Sequence, residues 1–256
     1  MGEFKDLDYK VKKYYAFTAA EIRGLLFSII VVAFIISFRD WGAGDTPDIT
    51  VGLINLLIAL VITTVTFFIR ESARRIGALA VGYRAEYKVW FWGLLVGLVA
   101  VFLSRGYAWL LLPGGIFLHH MAGHRLGHFR YDLNFFGLGM VAIIAPLANI
   151  VFAILLKIIN VYVQSDILLK AIHLNLLLAV FSILPIPPMD GSKMFFGSRL
   201  IYSFVFVFVI LISLLLFVEQ IPIWLSLLGS FILACLGWLL YYIYFERFAW
   251  EKGPYP

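Results

Sequence analysis

Apolar residues in this chain come in long uninterrupted runs, not in the strict alternation of a half-buried strand or the one-sided stripe of a soluble helix. Runs bounded by charge fall near 23–38, 51–69, 137–159, 167–186, 198–217 and 222–245. These lengths approach the roughly 20 residues that a helix needs to cross the hydrocarbon of a bilayer. The stretch 89–118 is different. An apolar run there meets Arg105-Gly106, and a second, shorter run ends in the breaker Pro113-Gly114-Gly115. Neither half makes a comfortable full crossing, so the pattern predicts a re-entrant hairpin or two short spans, with irregular backbone covered by protein or water.

Composition narrows the class. Of 256 residues, 63% are hydrophobic and 14% charged, against about 45–50% and about 25% in soluble domains. That balance excludes a soluble globular domain, and it excludes disorder as well. The expected fold is an all-α polytopic membrane protein of six to seven transmembrane helices with a re-entrant hairpin. A polar arm (1–22) precedes a single transmembrane domain (23–245), and a short tail (246–256) follows it. The arm mixes Glu3, Asp6 and Asp8 with its lysines, unlike a secretory signal, and is read as retained. Cys235 is the single cysteine, so neither a disulfide framework nor a cysteine metal site is available.

The net charge of +5 is read as basic loops on the cytoplasmic side and not as a nucleic-acid surface. Lys5, Lys10, Lys12 and Lys13 put the N-terminus inside, and the acidic loop with Asp40, Asp45 and Asp48 falls outside. Arg70 to Lys88, Lys193 with Arg199, and Arg247 with Lys252 fall inside. Every loop agrees once 89–118 contributes an even number of crossings. The expected location is therefore the cell membrane, with both termini cytoplasmic.

Three places set polar or helix-breaking residues against these runs, where they are costly unless they serve a purpose. Arg70-Glu71-Ser72-Ala73-Arg74 follows the second run, with the arginines on one helical face. They suit either a site or a pair of snorkelling anchors. Ala145-Pro146-Leu147-Ala148-Asn149 interrupts the run at 137–159, as a kink or as part of a site. Pro185-Ile186-Pro187-Pro188-Met189-Asp190-Gly191 ends the run at 167–186 and presents Asp190 on irregular backbone.

In this order, the three segments resemble the site-2 protease family of intramembrane zinc metalloproteases, particularly its archaeal members. PIPPMDG is the most specific piece, and the likeness spans most of 50–195. In that family one helix carries HExxH, a second a G-P-x-x-N-like motif, and a third ends N-x-x-P-x-P-x-L-D-G. The resemblance implies a site-2 protease-like core. It implies zinc on the two histidines and the aspartate, with the glutamate activating the bound water. It also implies a substrate groove shaped by Pro146, Asn149, Pro185 and Pro187.

The departures bear on function. Arg70 and Arg74 stand at both histidine positions, and Ser182 replaces the asparagine before the proline motif. Arginine stays protonated and has no electron pair to give a metal. No active catalytic residue and no cofactor are therefore expected. Instead Arg70, Arg74, Glu71 and Asp190 supply two charges of each sign, and an ion pair between an arginine (Arg74 foremost) and Asp190 is expected across the helices. The reading is a catalytically inactive homologue that binds the bilayer and transmembrane segments of partner membrane proteins, with no nucleic acid. The alternative is an active metalloprotease with rearranged ligands, for which His120, His124 and His128 have helical i, i+4 spacing. A transporter is a third class, supported only by charge within the membrane, since no repeated broken helix is found.

Overall fold

The computed structural model describes residues 2–41, 48–120 and 135–247. A short helix α1 (Gly2–Tyr14) leads into α2 (Ala19–Ser37). The start of α2 is fixed by a capping box, in which Thr18 accepts from the Glu21 N–H and Glu21 accepts from the Thr18 N–H. Helix α3 (Ile49–Val81) is capped by Asp48 and runs 33 residues before Gly82, at φ 95°, turns the chain in the left-handed region. The second apolar run ends at residue 69, but nothing in Arg70–Val81 breaks a helix. The polar motif therefore continues the spanning helix and does not begin a loop.

Two strands then frame the 89–118 region. Strands β1 (Tyr83–Val89) and β2 (Gly114–His120) pair antiparallel, with Tyr83 opposite His120 and Val89 opposite Gly114. Tyr83, Ala85 and Tyr87 face inward, and Ile116 and Leu118 join them in burial. Arg84, Glu86 and Lys88 alternate on the other side. Between the strands α4 (Phe91–Leu103) climbs, turns at Arg105 and Gly106 with positive φ, and the chain returns extended. Thirteen residues make a helix of about 20 Å, short of the roughly 30 Å hydrocarbon core.

The remaining helices are α5 (Phe135–Val163), α6 (Asp166–Ser182), α7 (Asp190–Gly197), α8 (Arg199–Phe217) and α9 (Ile223–Tyr241), which continues as a π-helical turn through Glu246. Among the described residues five helices are long and apolar enough to cross a membrane: α2, α3, α5, α8 and α9 with its extension. This is an apolar helical bundle of the kind that resides in a lipid bilayer. Helix α6 has 17 residues and ends where the proline segment begins. Helix α3 packs against α2, α5 and α6, and α5 packs in turn against α6 and α7. The polar end of α3 is thereby enclosed. Pro146 lies inside α5, whose helix continues through it.

Candidate functional site

The site is built where α3, α6 and α7 meet. Arg70, Glu71 and Arg74 share a face of α3 because positions four apart lie one turn above each other. Asp190 arrives from the far side of the sequence. Pro185, Pro187 and Pro188 cannot continue α6, and the chain restarts as α7 at Asp190 itself. Gly191 permits the approach, since a Cβ there would strike the Ile183 and Leu184 carbonyls.

Arg70, Arg74 and Asp190 are fully buried at 0% exposure, and Glu71 is 4% exposed. Arg74 grips both carboxylates: Nη2 donates to Asp190 Oδ2 in a short contact, and Nη1 donates to Glu71 Oε1 at 2.8 Å and Oε2 at 2.9 Å. Arg70 Nη2 donates to the same Asp190 oxygen at 3.3 Å and to Ser182 Oγ at 2.8 Å. The Ser182 hydroxyl in turn donates to the Leu178 carbonyl at 2.5 Å. Arg70 Nε lies 3.7 Å from Glu71 Oε1. Two positive and two negative groups thus neutralise one another in a buried interior, where each alone would be costly. The snorkelling alternative requires exposed guanidinium groups, and these have none.

This donor set does not fit zinc. Both α3 positions that face Asp190 carry guanidinium groups, which only donate hydrogen bonds. Both oxygens of Glu71 accept hydrogen bonds from Arg74. No cluster of three metal-ligating side chains occurs among the described residues. His124 and His128 lie outside the described residues, and His120 is described only as the last backbone position of β2. His119 pairs with Glu86 across the hairpin, Nε2 to Oε2 at 3.3 Å. His173 stacks on Phe217 with ring centroids 4.1 Å apart.

The groove candidates separate. Pro146 and Asn149 are buried in α5, and neither amide atom of Asn149 has a hydrogen-bond partner among the described residues. Pro185 and Pro187 are exposed. No single open surface carries all four.

A second buried ion pair, absent from the motif reading, braces the cluster. Arg75 Nη2 meets Glu21 Oε1 at 2.5 Å, and Nη1 donates to the carbonyls of Tyr15 and Ala16 at 3.3 and 3.0 Å. Its guanidinium also covers the Phe17 ring at 3.9 Å. Glu21 accepts the Tyr87 N–H at 3.0 Å, which joins α2, α3 and the hairpin. The capping-box spacing Thr18-x-x-Glu21 was the visible signal for this anchor. The Tyr87 hydroxyl donates to the Pro113 carbonyl at 2.8 Å. Burial, reinforced by the Glu71 charge, pushes the Tyr87 phenol above its ordinary range.

No family model and no solved structure matches the chain. It is similar to a protein of Methanocaldococcus jannaschii provisionally named a zinc metalloprotease, with 26% identity over 196 residues, covering 75% of this chain and 91% of the relative. That similarity supports a general metalloprotease-like ancestry.

Proposed function

We propose that this protein is a non-catalytic relative of the site-2-type intramembrane zinc metalloproteases, one that binds membrane-spanning segments of partner proteins. The observation that carries this reading is the convergence of Arg70 and Arg74 on one Asp190 oxygen. In a metal-dependent relative, a divalent cation would supply the two positive charges that join the first-motif helix to this aspartate. Here two guanidinium groups supply them, and Arg74 also ties down the glutamate, which without a metal has no polarised water to deprotonate.

The same reading gives the membrane arrangement. Val89 opposite Gly114 brings both ends of residues 90–113 together, which supports a re-entrant excursion that leaves and returns on one side. Arg70 and Arg74 are neutralised within the cluster, so the inside assignment of this region rests on Arg84 and Lys88. Partner contact belongs at the exposed proline loop and not at buried Asn149, because only the former can reach another helix without unfolding.

Metal analysis and crosslinking test this function. Purified protein should hold well under one zinc per chain, and Asp190→Asn should not change that content. A photocrosslinker at Ile186, which is 42% exposed, should capture partner transmembrane segments in native membranes. Stoichiometric zinc lost on Asp190→Asn, or cleavage of reconstituted transmembrane substrates, would instead establish the rearranged-ligand enzyme.

A further inference from the structure

Helices α8 and α9 pack against each other and also line a cavity near one end. They touch through small residues: Ser226, Ser230 and Ala234 are buried on α9. A Cβ on Gly229 would just reach Leu215. Gly237 is the last such approach, where an added Cβ would press on both Val207 methyls at 3.3 Å. Beyond it α9 passes into its π-helical turn. The result is a wedge of about 450 Å³ between Gly237 and the ends of both helices. Pockets of roughly 300–1,000 Å³ take small ligands.

The walls and the mouth differ in chemistry. Tyr202 and Phe206 on α8 face Tyr241, Tyr244 and Phe245 from α9 and its extension. The Tyr202 hydroxyl is already spent on the Ile183 carbonyl at 3.2 Å. Ser203 likewise turns its hydroxyl back to the Leu200 carbonyl at 2.9 Å. Two of the hydroxyls in the lining are thus turned away from the wedge, and the rest of the lining is mainly aromatic and aliphatic, with the Tyr241 and Tyr244 phenols toward the helix ends. At the mouth stands Arg199, exposed, its guanidinium 5.7 Å from the Phe195 ring. No carboxylate pairs with it among the described residues. Arg199 is also the first residue of α8, whose N-terminal end is electropositive.

Both helices are candidate membrane spans, and Arg199 and Glu246 end them on the same side. The wedge thus opens where hydrocarbon gives way to headgroups. We propose that it is a binding site for one anionic phospholipid of the surrounding membrane, with an acyl chain between the aromatic walls and the phosphate on Arg199. A cationic group alone would attract any anion, and an apolar cleft alone any chain. Their junction at the interface selects a molecule that has both. This inference is independent of the protease ancestry.

Native mass spectrometry of delipidated protein in detergent tests it, with dioleoylphosphatidylglycerol and dioleoylphosphatidylcholine titrated separately. One phosphatidylglycerol should bind about tenfold more tightly than phosphatidylcholine, because both offer Arg199 a phosphate but phosphatidylcholine's is offset by its own choline cation. Arg199→Gln should bring the two lipids level, and Arg199→Lys should keep the preference. Ser203→Phe, which fills the wedge, should remove the first bound lipid of either kind. Equal binding of both lipids to the unaltered protein would overturn the proposal. So would a phosphatidylglycerol preference unchanged in Arg199→Gln, or first-lipid binding unchanged in Ser203→Phe. Arg199 is exposed, so its variants test the site without disturbing the core.

Discussion

Arg74 joins Asp190 to Glu71 across the bundle, one guanidinium nitrogen on each carboxylate. Glu71 lies three residues before Arg74 on α3, whereas Asp190 comes from the start of α7. One side chain therefore links a local helix contact to a pairing 116 residues away in sequence. Arg70 adds a second tie to the same Asp190 oxygen and to Ser182 at the end of α6.

Asp190→Asn should be strongly destabilising. It leaves three charges where four were balanced, with one buried guanidinium in excess. Removing one member of a buried pair costs about 3–5 kcal/mol, against about 0–1 kcal/mol for an exposed pair. The double variant Asp190→Leu with Arg74→Leu leaves Arg70 facing Glu71 and should recover much of the loss. Unfolding in detergent, followed by tryptophan fluorescence through a double-mutant cycle, measures both. A single-variant cost below about 1 kcal/mol would show that the cluster is not a buried ion network.

Restoring imidazole should restore a metal site. Arg70 and Arg74 both reach Asp190 from one helical face, the i, i+4 geometry that two histidines use to hold zinc. The double variant Arg70→His with Arg74→His would offer two nitrogens and one carboxylate, three protein ligands with a fourth position open. It should take up about one zinc per chain by plasma mass spectrometry, and Asp190→Ala on that background should abolish uptake. Failure to bind zinc in a folded double variant would mean that the backbone no longer presents these positions at metal-binding geometry.

The legibility of this molecule in its sequence follows from the range of the interactions. Long apolar runs are local signals, so helices α2, α3, α5, α8 and α9 stand out without tertiary information. The strand pair does not. Tyr83 to Val89 alternates inward and outward over only seven residues, too short a signal beside runs of twenty, and its partner strand lies beyond α4. The cluster residues are visible as charges that interrupt apolar sequence, and the motif order brings Asp190 to the same site. Arg75 illustrates the limit. Glu71 stands four residues before it, the ordinary partner for a helix surface, yet Arg75 turns to Glu21 of another helix. Only packing decides between them. The burial of Asn149 and the exposure of Pro187 are likewise properties of the bundle and not of their motifs.

Arg75→Ala should loosen the N-terminal arm before it unfolds the bundle. Arg75 holds the backbone of Tyr15 and Ala16 as well as Glu21, and Tyr15 also donates to Ser72 Oγ at 2.6 Å. Removing the guanidinium frees the connection between α1 and α2 and strands Glu21, which keeps only its backbone donors. Protease added to the detergent-solubilised variant should cut within residues 14–18 far faster than in the unaltered protein, while α3 stays protected. Hydrogen exchange at Phe17 and Thr18 should rise in parallel. Equal cleavage rates would show that α1 is held by other contacts.

Tyr87 should make stability fall at alkaline pH in a way that Tyr87→Phe does not. Its phenol is buried between α2, α3 and the hairpin and has a raised pKa in the folded protein. In the unfolded chain it titrates near its ordinary value of about 10. Above that pH the unfolded chain releases the proton while the folded protein keeps it. The folded state then binds more protons, so unfolding becomes easier as pH rises. Below that value both states are neutral and the phenol's contribution is fully present. Other groups, the lysines above all, titrate in the same range, and the comparison with Tyr87→Phe removes their share. Tyr87→Phe is expected to be less stable at pH 8, because the Pro113 carbonyl loses one of its two donors and keeps only the Trp90 N–H, but its decline from pH 9 to 11 should be shallower. Parallel declines in unfolding free energy for the two proteins would show that Tyr87 is not kept neutral by its surroundings.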